Sequence, residues 1–380
     1  MARILQVCNT DFYLEKFLKP LVFELKRRGH DVECLCSGSA HSPEFAAKKI
    51  PVHDARFPAK ASPSQFFSSI QHLRKFLEVN RFDCVNSHNR NASIVARVAA
   101  WRAGVPVRVY TAHGMYFHDG QGKLGNILTE TFEGWLARIT TFTLSQSDED
   151  TKRMVRRGWI SSDRILTIGN GINTGKFSPE KTAAAAPTEI FRVGALGRLV
   201  AGKGFEDLVR AFHSFQKEVP ASELLFIGGN IDADLDSSAA SMKQLIDELG
   251  LAGKVRVTGI VNNVEDYLGT CDVFVHPSYR EGMPRSLLEA MCMGMPVIAT
   301  SIRGAREIVK QSDNGFLFEP RDSAGIAELL RRVHGMSRPE RLAMGQRARD
   351  LVLKNFDEKV YVSKQADSIE GLLQNSRRQS

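Results

Sequence analysis

The sequence predicts an α/β protein made of two Rossmann-like domains. Short β-branched runs alternate with helical patterns in two successive series, which is the βαβ rhythm of a parallel sheet. Between the series, the segment KTAAAAPTE at 181–189 interrupts the pattern, so we predict an interdomain linker there. We expect the two domains to face each other.

In the first domain, assigned to 1–180, strands and helices alternate from the start. An apolar run at 3–8 predicts the first strand, and the helical pattern after it ends at Gly29, a residue type that commonly terminates helices. Further strands are predicted over 31–36, 84–87, 107–111 and 141–145, with helices near 65–79, 92–103 and 126–138.

The second domain, assigned to 190–356, repeats this rhythm. Its strands are predicted over 191–196, 223–227, 254–258, 273–275 and 297–300. Beyond Pro320 helical patterns dominate, over 323–333, 339–355 and 357–373. The last of these belongs to a terminal segment, 357–380.

Composition limits the classes of protein to consider. A chain of 380 residues with 43% apolar residues can bury two ordinary cores. No apolar stretch approaches the length of a membrane span, so we expect a cytosolic protein, and we expect no nucleic-acid partner. The cysteines lie in apolar runs without the paired spacing of metal ligands, and we interpret them as reduced core thiols: Cys8, Cys34, Cys36, Cys84, Cys271 and Cys292.

Positive charge is concentrated in the first half. Residues 1–178 hold 25 Lys and Arg against 16 Asp and Glu, a net charge of +9, whereas residues 179–380 hold 26 against 27. Contact with an anionic membrane surface, on the inner face of the cytoplasmic membrane, is therefore one hypothesis. The alternative is the solvated face of a helix whose apolar face is core. The cations concerned are Lys16, Lys19, Lys26, Arg27 and Arg28.

The most informative motif is REGMPRSLLEAMCMGMPVIATSIRGAR at 280–306. Pro284 suits the first turn of a helix, so Glu281 is predicted in the loop before that helix and Glu289 within it. A helix N-terminus attracts phosphate, and carboxylates accept hydrogen bonds from hydroxyls, so the motif suits a nucleoside-diphosphate-sugar. Alternatively, Glu289 forms a solvated pair with Arg285, and Glu281 is a loop carboxylate without a partner.

A second motif, GRLVAGKG at 197–204, follows the first strand of the second domain. Arg198 can donate two hydrogen bonds to phosphate oxygens and Lys203 supplies a point charge, while the glycines allow close approach of the backbone. The motif lacks the spacing and the Ser or Thr of a P-loop. Its alternative interpretation is a basic turn without a ligand.

Ligands of open parallel sheets bind beyond the carboxyl ends of the strands, so residues at those ends are further candidates. Gly229, Val261 and His276 follow strands of the second domain, and His88 and His113 follow strands of the first. A lone histidine is more often structural than functional. His113, between small residues, is the strongest candidate among them.

A metal-dependent alternative depends on Asp232 and Asp234, which form an Asp-x-Asp pattern after a strand. Asp236 and a run of Ser and Ala follow, which also fits a polar loop that caps a helix. We favour the loop and expect neither a metal nor a cofactor.

Several of these segments together resemble the retaining glycosyltransferases of family four, which have the GT-B fold. They are VFVHPSYREGMPRSLLEAMCMGMPVIAT at 273–300, GRLVAGKGFEDLVRAF at 197–212, GNGIN at 169–173 and NGFLFEP at 314–320. The stretch SHNRNASIVARVAAWRAGVPVRVYTAHGMYFHDG at 87–120 is similar to the bacterial capsule, exopolysaccharide and O-antigen branch of that family.

The resemblance implies a role for each matching residue. The implied catalytic residues are His113, Arg198, Lys203 and Glu281. The implied donor-binding residues are Gly197, Arg198, Lys203, Gly229, Val261, Glu281, Gly282, Met283, Pro284, Arg285 and Glu289. Relatives often carry Gly-Gly after the first strand, where this chain has other residues, so we expect an acceptor-binding loop instead: Asn9, Thr10 and Asp11, with His113 and Gly114.

The resemblance also implies the reaction. A sugar would pass, with retention, from a nucleoside-diphosphate-sugar, with UDP-linked hexose or N-acetylhexosamine favoured, to a polyprenyl-diphosphate-linked or other glycan acceptor. In this fold the last helix, here 357–373, crosses back to the first domain. A UDP-sugar epimerase, a hydrolase and a non-catalytic sugar-nucleotide sensor are alternatives. A glycosidase is less favoured, because eight helical residues rise by about 12 Å, more than the ~6.5–9.5 Å between the carboxylates of an inverting enzyme.

Overall fold

The structure, a computed structural model, describes residues 1–38, 43–58, 62–117, 122–181, 189–230 and 238–379. The chain forms two compact units: unit 1 contains Met1–Gly169 and Lys359–Ser380, and unit 2 contains Asn170–Glu358. Each unit is built on a parallel sheet with helices between the strands. This confirms the predicted fold class of two Rossmann-like domains.

The described part of unit 1 contains a sheet of seven parallel strands in the order β3-β2-β1-β4-β5-β6-β7. The strands are β1 Arg3–Thr10, β2 Asp31–Ser37, β3 Val52–Asp54, β4 Cys84–His88, β5 Val107–Ala112, β6 Phe142–Ser145 and β7 Ile165–Thr167. The helices are α1 Asp11–Tyr13, α2 Lys19–Arg27, α3 Pro43–Ala47, α4 Pro63–Asn80, α5 Arg90–Arg102, α6 Lys123–Arg138 and α7 Asp148–Arg156.

Alternating residues of β1 enter two different cores. Ile4 and Cys8 pack on one side of the sheet with the α2 residues Leu21 and Leu25, whereas Leu5 packs on the other side. Side chains of a strand point alternately to opposite faces, and a strand covered on both faces is apolar almost throughout. This explains why β1 could be predicted from its apolar run.

The helix predicted after β1 is interrupted. A π-helical turn, Leu14–Leu18, separates α1 from α2, and the N–H of Lys19 donates to the carbonyl of Leu14, five residues back. Pro20, in the first turn of α2, has no N–H to continue the ordinary i to i−4 pattern. The wider turn therefore accommodates a proline that a continuous helix would not.

The cations on this segment are engaged by acidic side chains. Arg28 lies 2.6 Å from Asp367, 2.7 Å from Glu370 and 2.8 Å from Glu24, and Lys19 lies 3.0 Å from Glu44. Lys19, Lys26, Arg27 and Arg28 therefore contact carboxylates of unit 1 itself, which reduces the positive field that they present to other molecules.

The described part of unit 2 contains a sheet of six parallel strands in the order β10-β9-β8-β11-β12-β13. The strands are β8 Phe191–Leu196, β9 Ser222–Ile227, β10 Val255–Val257, β11 Val273–His276, β12 Val297–Thr300 and β13 Gly315–Phe318. The helices are α8 Phe205–Glu218, α9 Ser238–Glu248, α10 Val264–Leu268, α11 Arg285–Cys292, α12 Ala305–Ile308, α13 Ser323–Gly335 and α14 Arg338–Asn355.

The strands that sequence patterns did not predict are short. β3 and β7 have three residues each, and β13 has four. β10, which also has three residues, was predicted over 254–258, so length alone does not separate the two groups. β3, β7 and β13 are recognised in the structure by pairing with their neighbours. β13 pairs with β12 from Val297↔Gly315 to Thr300↔Phe318.

The units divide at Gly169 and Asn170, whereas the linker was predicted at 181–189. Ile172 forms a bridge to Asp357, and Phe177 packs in a core of unit 2, so 170–181 belongs to that unit. Residues 182–188 of the predicted linker lie outside the described residues.

The last helix, α15 Glu358–Gln379, belongs to unit 1 apart from its first residue. Tyr361, Ala366 and Ile369 pack in the same core as Ile4 of β1. The terminal helix thus returns to the first domain, as predicted from residues 357–373.

Candidate functional site

The sheet order of unit 2 identifies where a ligand would bind. β8 and β11 are neighbours in the middle of the sheet, and the chain proceeds outward from them in opposite directions. Ligands of such sheets bind beyond the carboxyl ends of the strands at this switch point. Two segments meet these conditions: the turn at 197–204 after β8 and the loop at 277–284 after β11.

An ion pair joins these two segments. The Lys203 ammonium lies 2.5 Å from Oε1 of Glu281, and about a quarter of each side chain is exposed. Burial alone would raise the pKa of the Glu281 carboxyl, but the Lys203 ammonium reverses the effect and leaves it below its ordinary value. Two of the predicted catalytic residues therefore meet as a charged pair that ligands can reach.

His276, the last residue of β11, lies beneath this pair. It is 2% exposed, and burial lowers its pKa to about 4, with the Lys203 ammonium acting in the same direction and Glu281 opposing. Its Nδ1 lies 3.3 Å from the hydroxyl of Ser286 on α11, whereas its Nε2 has no hydrogen-bond partner among the described residues. At neutral pH the imidazole is uncharged.

Close backbone packing positions Lys203. Gly204 has a left-handed φ of +64°, and a Cβ atom there would lie 2.2 Å from the carbonyl oxygen of Pro277. Only glycine fits both the conformation and the space. The amide of Tyr279 also donates to the carbonyl of Gly202 at 3.0 Å, so the turn and the loop form one packed unit.

Three residues distant in sequence hold the loop that precedes α11. The side-chain amide of Asn170 donates to the carbonyl of Met283 at 2.9 Å, and Nε of Arg303 donates to the carbonyl of Glu281 at 3.4 Å. Gly304, with φ +73°, approaches so closely that a Cβ atom would lie 1.7 Å from the carbonyl oxygen of Gly282. These contacts fix the start of α11, although α11 has no side-chain cap.

Glu289, in the last turn of α11, belongs to a separate charged cluster. Its Oε1 lies 4.0 Å from Nε of Arg285, and Arg285 also lies 3.5 Å from Glu358. Burial raises the pKa of the Glu289 carboxyl above its ordinary value, and Arg285 and Lys176 only partly offset this. The alternative interpretation from sequence, an i,i+4 pair, is thus present, and Glu289 is not in the Lys203 ion pair.

The other predicted donor residues occupy the same edge of the sheet. Arg198 is exposed and follows β8 directly after Gly197. Gly229 comes two residues after the end of β9, where a Cβ atom would lie 3.3 Å from Gly259. Val261, which follows β10, is half-buried and packs against a core of unit 2.

In unit 1 the switch point lies between β1 and β4, and two asparagines link the ends of these strands. The amide of Asn9 donates to Oδ1 of Asn89 at 3.1 Å, and Oδ1 of Asn9 accepts from the amide of Ala92 at 3.0 Å. Thr10 accepts from the amide of Tyr13, and Oδ1 of Asp11 accepts from the amide of Phe12. The predicted acceptor loop is therefore locally ordered by its own side chains.

His113, one residue beyond β5 and directly before Gly114, ends a buried polar chain. Its Nε2 lies 3.1 Å from Nδ1 of His88, and Nε2 of His88 lies 3.0 Å from Oε1 of Gln6. Oε1 of Gln6 also accepts from Asn86 at 3.0 Å. Burial lowers the pKa of His88 well below its ordinary value, and the neighbouring His113 lowers it further.

These hydrogen bonds determine which nitrogen of each imidazole carries a proton. The Gln6 oxygen can only accept, so Nε2 of the neutral His88 carries its proton and Nδ1 is left as an acceptor. Nε2 of His113 must then donate to it. In neutral His113, Nδ1 is consequently the atom that gains and loses a proton.

No role was predicted for Gln6, Asn170, Arg303 or Gly304. Asn170 lies in the GNGIN segment, and Arg303 and Gly304 lie in the motif at 280–306, but their contacts are with residues that no local pattern identifies. Asp232 and Asp234 lie outside the described residues, and within the described part there is no group of three potential metal ligands. Among the helices that the structure describes, none is both long and apolar enough to cross a bilayer.

Comparison with known proteins identifies both halves of the chain. A family profile described as "Glycosyltransferase Family 4" matches residues 14–176, and one described as "Glycosyl transferases group 1" matches residues 179–351. The chain is 28% identical over 385 residues to "Putative glycosyltransferase EpsD" of Bacillus subtilis, covering 96% of this chain and 95% of that protein.

Two further proteins are similar. A "UDP-Gal:alpha-D-GlcNAc-diphosphoundecaprenol alpha-1,3-galactosyltransferase" of Escherichia coli is 29% identical over 275 residues, or 70% of each chain. The crystal structure of "Anabaena Alr3699/HepE in complex with UDP and glucose" superimposes with a TM-score of 0.80 and 18% identity, covering 97% of this chain and all of that one. At this identity the second similarity concerns the fold alone.

Proposed function

Because the chain belongs to the glycosyltransferases that join a Family 4 domain to a group 1 domain, we propose that it transfers a sugar, with retention, from a nucleoside-diphosphate-sugar to a lipid-linked glycan. The acceptor that we favour is a polyprenyl-diphosphate-linked sugar in bacterial surface polysaccharide synthesis. The Escherichia coli relative, whose name includes a sugar linked to diphosphoundecaprenol, supports this.

The donor is assigned to unit 2. Arg198 and Lys203 would bind the diphosphate, and Glu281 would contact the sugar. The amides of Gly282 and Met283 and the N-terminus of α11 would add hydrogen-bond donors, whereas Pro284 has none to give. Arg285 and Glu289 would bind the ribose side, with Gly229 and Val261 nearest the base.

The single observation that carries the proposal is the Lys203–Glu281 ion pair at the switch point. A cation and an anion at this edge provide one group for a diphosphate and one for sugar hydroxyls. The carboxyl is held ionised, because its pKa lies below the ordinary value. An ion pair exposed by about a quarter can exchange partners when a ligand enters.

In the proposed reaction the bond between the anomeric carbon and the phosphate oxygen breaks, and a bond from that carbon to the acceptor oxygen forms on the same face. The acceptor proton passes to a departing phosphate oxygen. Negative charge grows on the diphosphate, and preorganised cations stabilise that transition state more than the ground state. We propose that Arg198, Lys203 and the α11 N-terminus do this without a metal ion.

Acceptor binding is assigned to unit 1, with Asn9, Thr10, Asp11 and Gly114 as its candidates. His113 is its catalytic candidate, since the buried chain behind it fixes its proton on Nε2. UDP is the favoured nucleotide because the similar Escherichia coli protein is named with UDP-Gal.

Radiolabelled UDP-sugars, incubated with and without polyprenyl-diphosphate-linked acceptor, separate the proposal from its alternatives. Label in lipid supports transfer. Free sugar indicates a hydrolase, a changed sugar nucleotide an epimerase, and binding without turnover a sensor. The same assay after exhaustive chelation tests the metal: activity lost completely and restored by Mg²⁺ or Mn²⁺ would contradict the metal-independent mechanism.

The ion pair is tested with charge-neutral variants. We expect Lys203→Met to weaken UDP binding at least tenfold by calorimetry, and Glu281→Gln to lower kcat about 100-fold while UDP still binds, because the latter retains the cation. Lys217→Met, on the exposed face of α8, is the matched control. It should leave both UDP binding and kcat unchanged. If Glu281→Gln retains full turnover, Glu281 does not have the role assigned to it.

A further inference from the structure

Helix α6, Lys123–Arg138, presents an apolar surface to solvent. Leu124, Ile127, Leu128, Phe132 and Trp135 are 71%, 52%, 64%, 43% and 49% exposed. At about 100° per residue these positions cover roughly 140° of the helix surface. Single exposed apolar residues are ordinary, but a continuous strip of this kind marks an interaction site.

The acidic residues of α6 point the other way. Glu133 is 4% exposed and lies 3.1 Å from the guanidinium of Arg97. Glu130 is 2% exposed and is paired with Arg153 and with Arg157. The outward face of α6 therefore carries no carboxylate, and the charges of the inward face are already neutralised.

The exposed charged residues at the two ends of α6 are cations. Lys123 and Arg138, at the two ends of α6, are exposed, and neither forms an ion pair within the described residues. On the neighbouring α5, Trp101 is 48% exposed and is followed by the exposed Arg102. Trp101 and Arg102 lie about one helical turn beyond Val98. Val98 packs in one cluster with Leu136 of α6.

We propose that this surface, formed by the outward side of α6 and the end of α5, binds the face of an anionic phospholipid bilayer. Leu, Ile and Phe side chains enter the acyl boundary, the two indoles suit the polar–apolar interface, and the cations meet lipid phosphates. A surface that carries one sign of charge attracts the opposite sign. Among the described residues, the exposed charges at the ends of α5 and α6 are positive.

This site differs from the one that the sequence indicated. The cations near α2 are paired with carboxylates, as in Arg28 with Glu370, whereas those around α6 are available to lipid. The helix would lie in the plane of the membrane without crossing it, along about 16 Å from Leu124 to Trp135 at ~1.5 Å per residue.

Vesicle sedimentation tests the proposal without a sugar donor, so its outcome does not depend on the proposed reaction. We expect the full chain to bind vesicles of phosphatidylcholine mixed with the anionic lipid phosphatidylglycerol, and to bind vesicles of pure phosphatidylcholine at least tenfold more weakly. Leu128→Ser combined with Trp135→Ser should reduce binding at least tenfold. Lys123→Gln combined with Arg138→Gln should reduce its salt dependence.

Val79→Ser is the matched control, since Val79 is 81% exposed on α4 of the same unit. Its affinity for the anionic vesicles should lie within twofold of that of the unchanged chain. The proposal is overturned if the unchanged chain ignores anionic vesicles at low salt, or if the α6 variants bind as well as the control. It is also overturned if the α6 variants instead convert a dimer to a monomer, because the surface would then join two copies of the chain.

Discussion

His276 connects the candidate site to the stability of unit 2. The unfolded chain exposes this imidazole, with a pKa of about 6.5, whereas the folded pKa is about 4. Between these values the unfolded state binds a proton that the folded state does not, so stability rises with pH across this window and falls as the pH is lowered. The corresponding change in the free energy of unfolding is about 3 kcal/mol.

We therefore expect His276→Asn to make the free energy of unfolding of unit 2 less dependent on pH between 4.5 and 7. Urea unfolding, followed by hydrogen exchange in unit 2, measures this slope. His72→Asn, at an exposed position on α4, should leave the slope unchanged. Equal slopes for His276→Asn and the unchanged chain would show that His276 does not titrate as described.

In the proposed reaction, His88 is a positioning residue for His113, whose Nε2 lies 3.1 Å from Nδ1 of His88. Replacing it with Ala removes the acceptor that orients Nε2 of His113, so we expect kcat to fall about tenfold while KM for the donor changes little. His88→Asn retains an acceptor near the position of Nδ1 and should recover part of the loss. The pH dependence of kcat should shift in His88→Ala, because His113 loses a neighbour that fixes its tautomer.

The control is Ser87→Ala. Ser87 lies next to His88 on β4, and its buried hydroxyl donates to the carbonyl of Val109 on β5. The variant should destabilise unit 1 without altering the pH profile of kcat. If both variants lower kcat equally and in proportion to stability, His88 has only a structural role.

At the scale of elements, the loop before α11 depends on a backbone contact with the segment before α12. We expect Gly304→Ala to displace residues 281–283, because its Cβ atom would overlap the carbonyl of Gly282. UDP binding should weaken at least tenfold by calorimetry, and amide exchange at 281–285 should accelerate.

Gly294→Ala separates this effect from backbone strain. Gly294 has nearly the same φ, +71° against +73°, but nothing lies within 4 Å of its added Cβ. Both variants place an alanine at a positive φ, which residues with a Cβ atom rarely adopt, and only Gly304→Ala adds overlap with the carbonyl of Gly282. If Gly294→Ala weakens UDP binding as much as Gly304→Ala does, the close approach does not hold the loop.

Elements with a long apolar run or an amphipathic period were predictable, whereas β3, β7 and β13 were not. β8 was predicted at its observed bounds, Phe191–Leu196, because most of its residues are apolar and buried. The three-residue β3 and β7 have no such pattern. Likewise the π-helical turn at Leu14–Leu18 reflects Pro20 within a segment that otherwise has a helical period.

For the whole molecule, the return of α15 makes the first unit depend on the end of the chain. Ile369 is fully buried in a core of unit 1, so Ile369→Ala should lower the stability of that unit by roughly 2–4 kcal/mol. Hydrogen exchange resolved by unit measures this loss. Unit 2 should be unaffected.

Val360→Ala is the matched control on the same helix, because Val360 is 64% exposed, and it should change stability by less than about 0.5 kcal/mol. A loss of protection confined to unit 2 in Ile369→Ala would contradict the assignment of α15 to unit 1.

By itself the sequence determined the two α/β domains, the returning helix and the candidates at the strand ends. These depend on local periods, on glycine and proline, and on the rule that parallel strands place their carboxyl ends at one edge. Only the tertiary structure decided that Lys203 meets Glu281, that Gly304 approaches Gly282, and that α6 exposes its apolar side. Each depends on packing between segments distant in the chain, which no local pattern records.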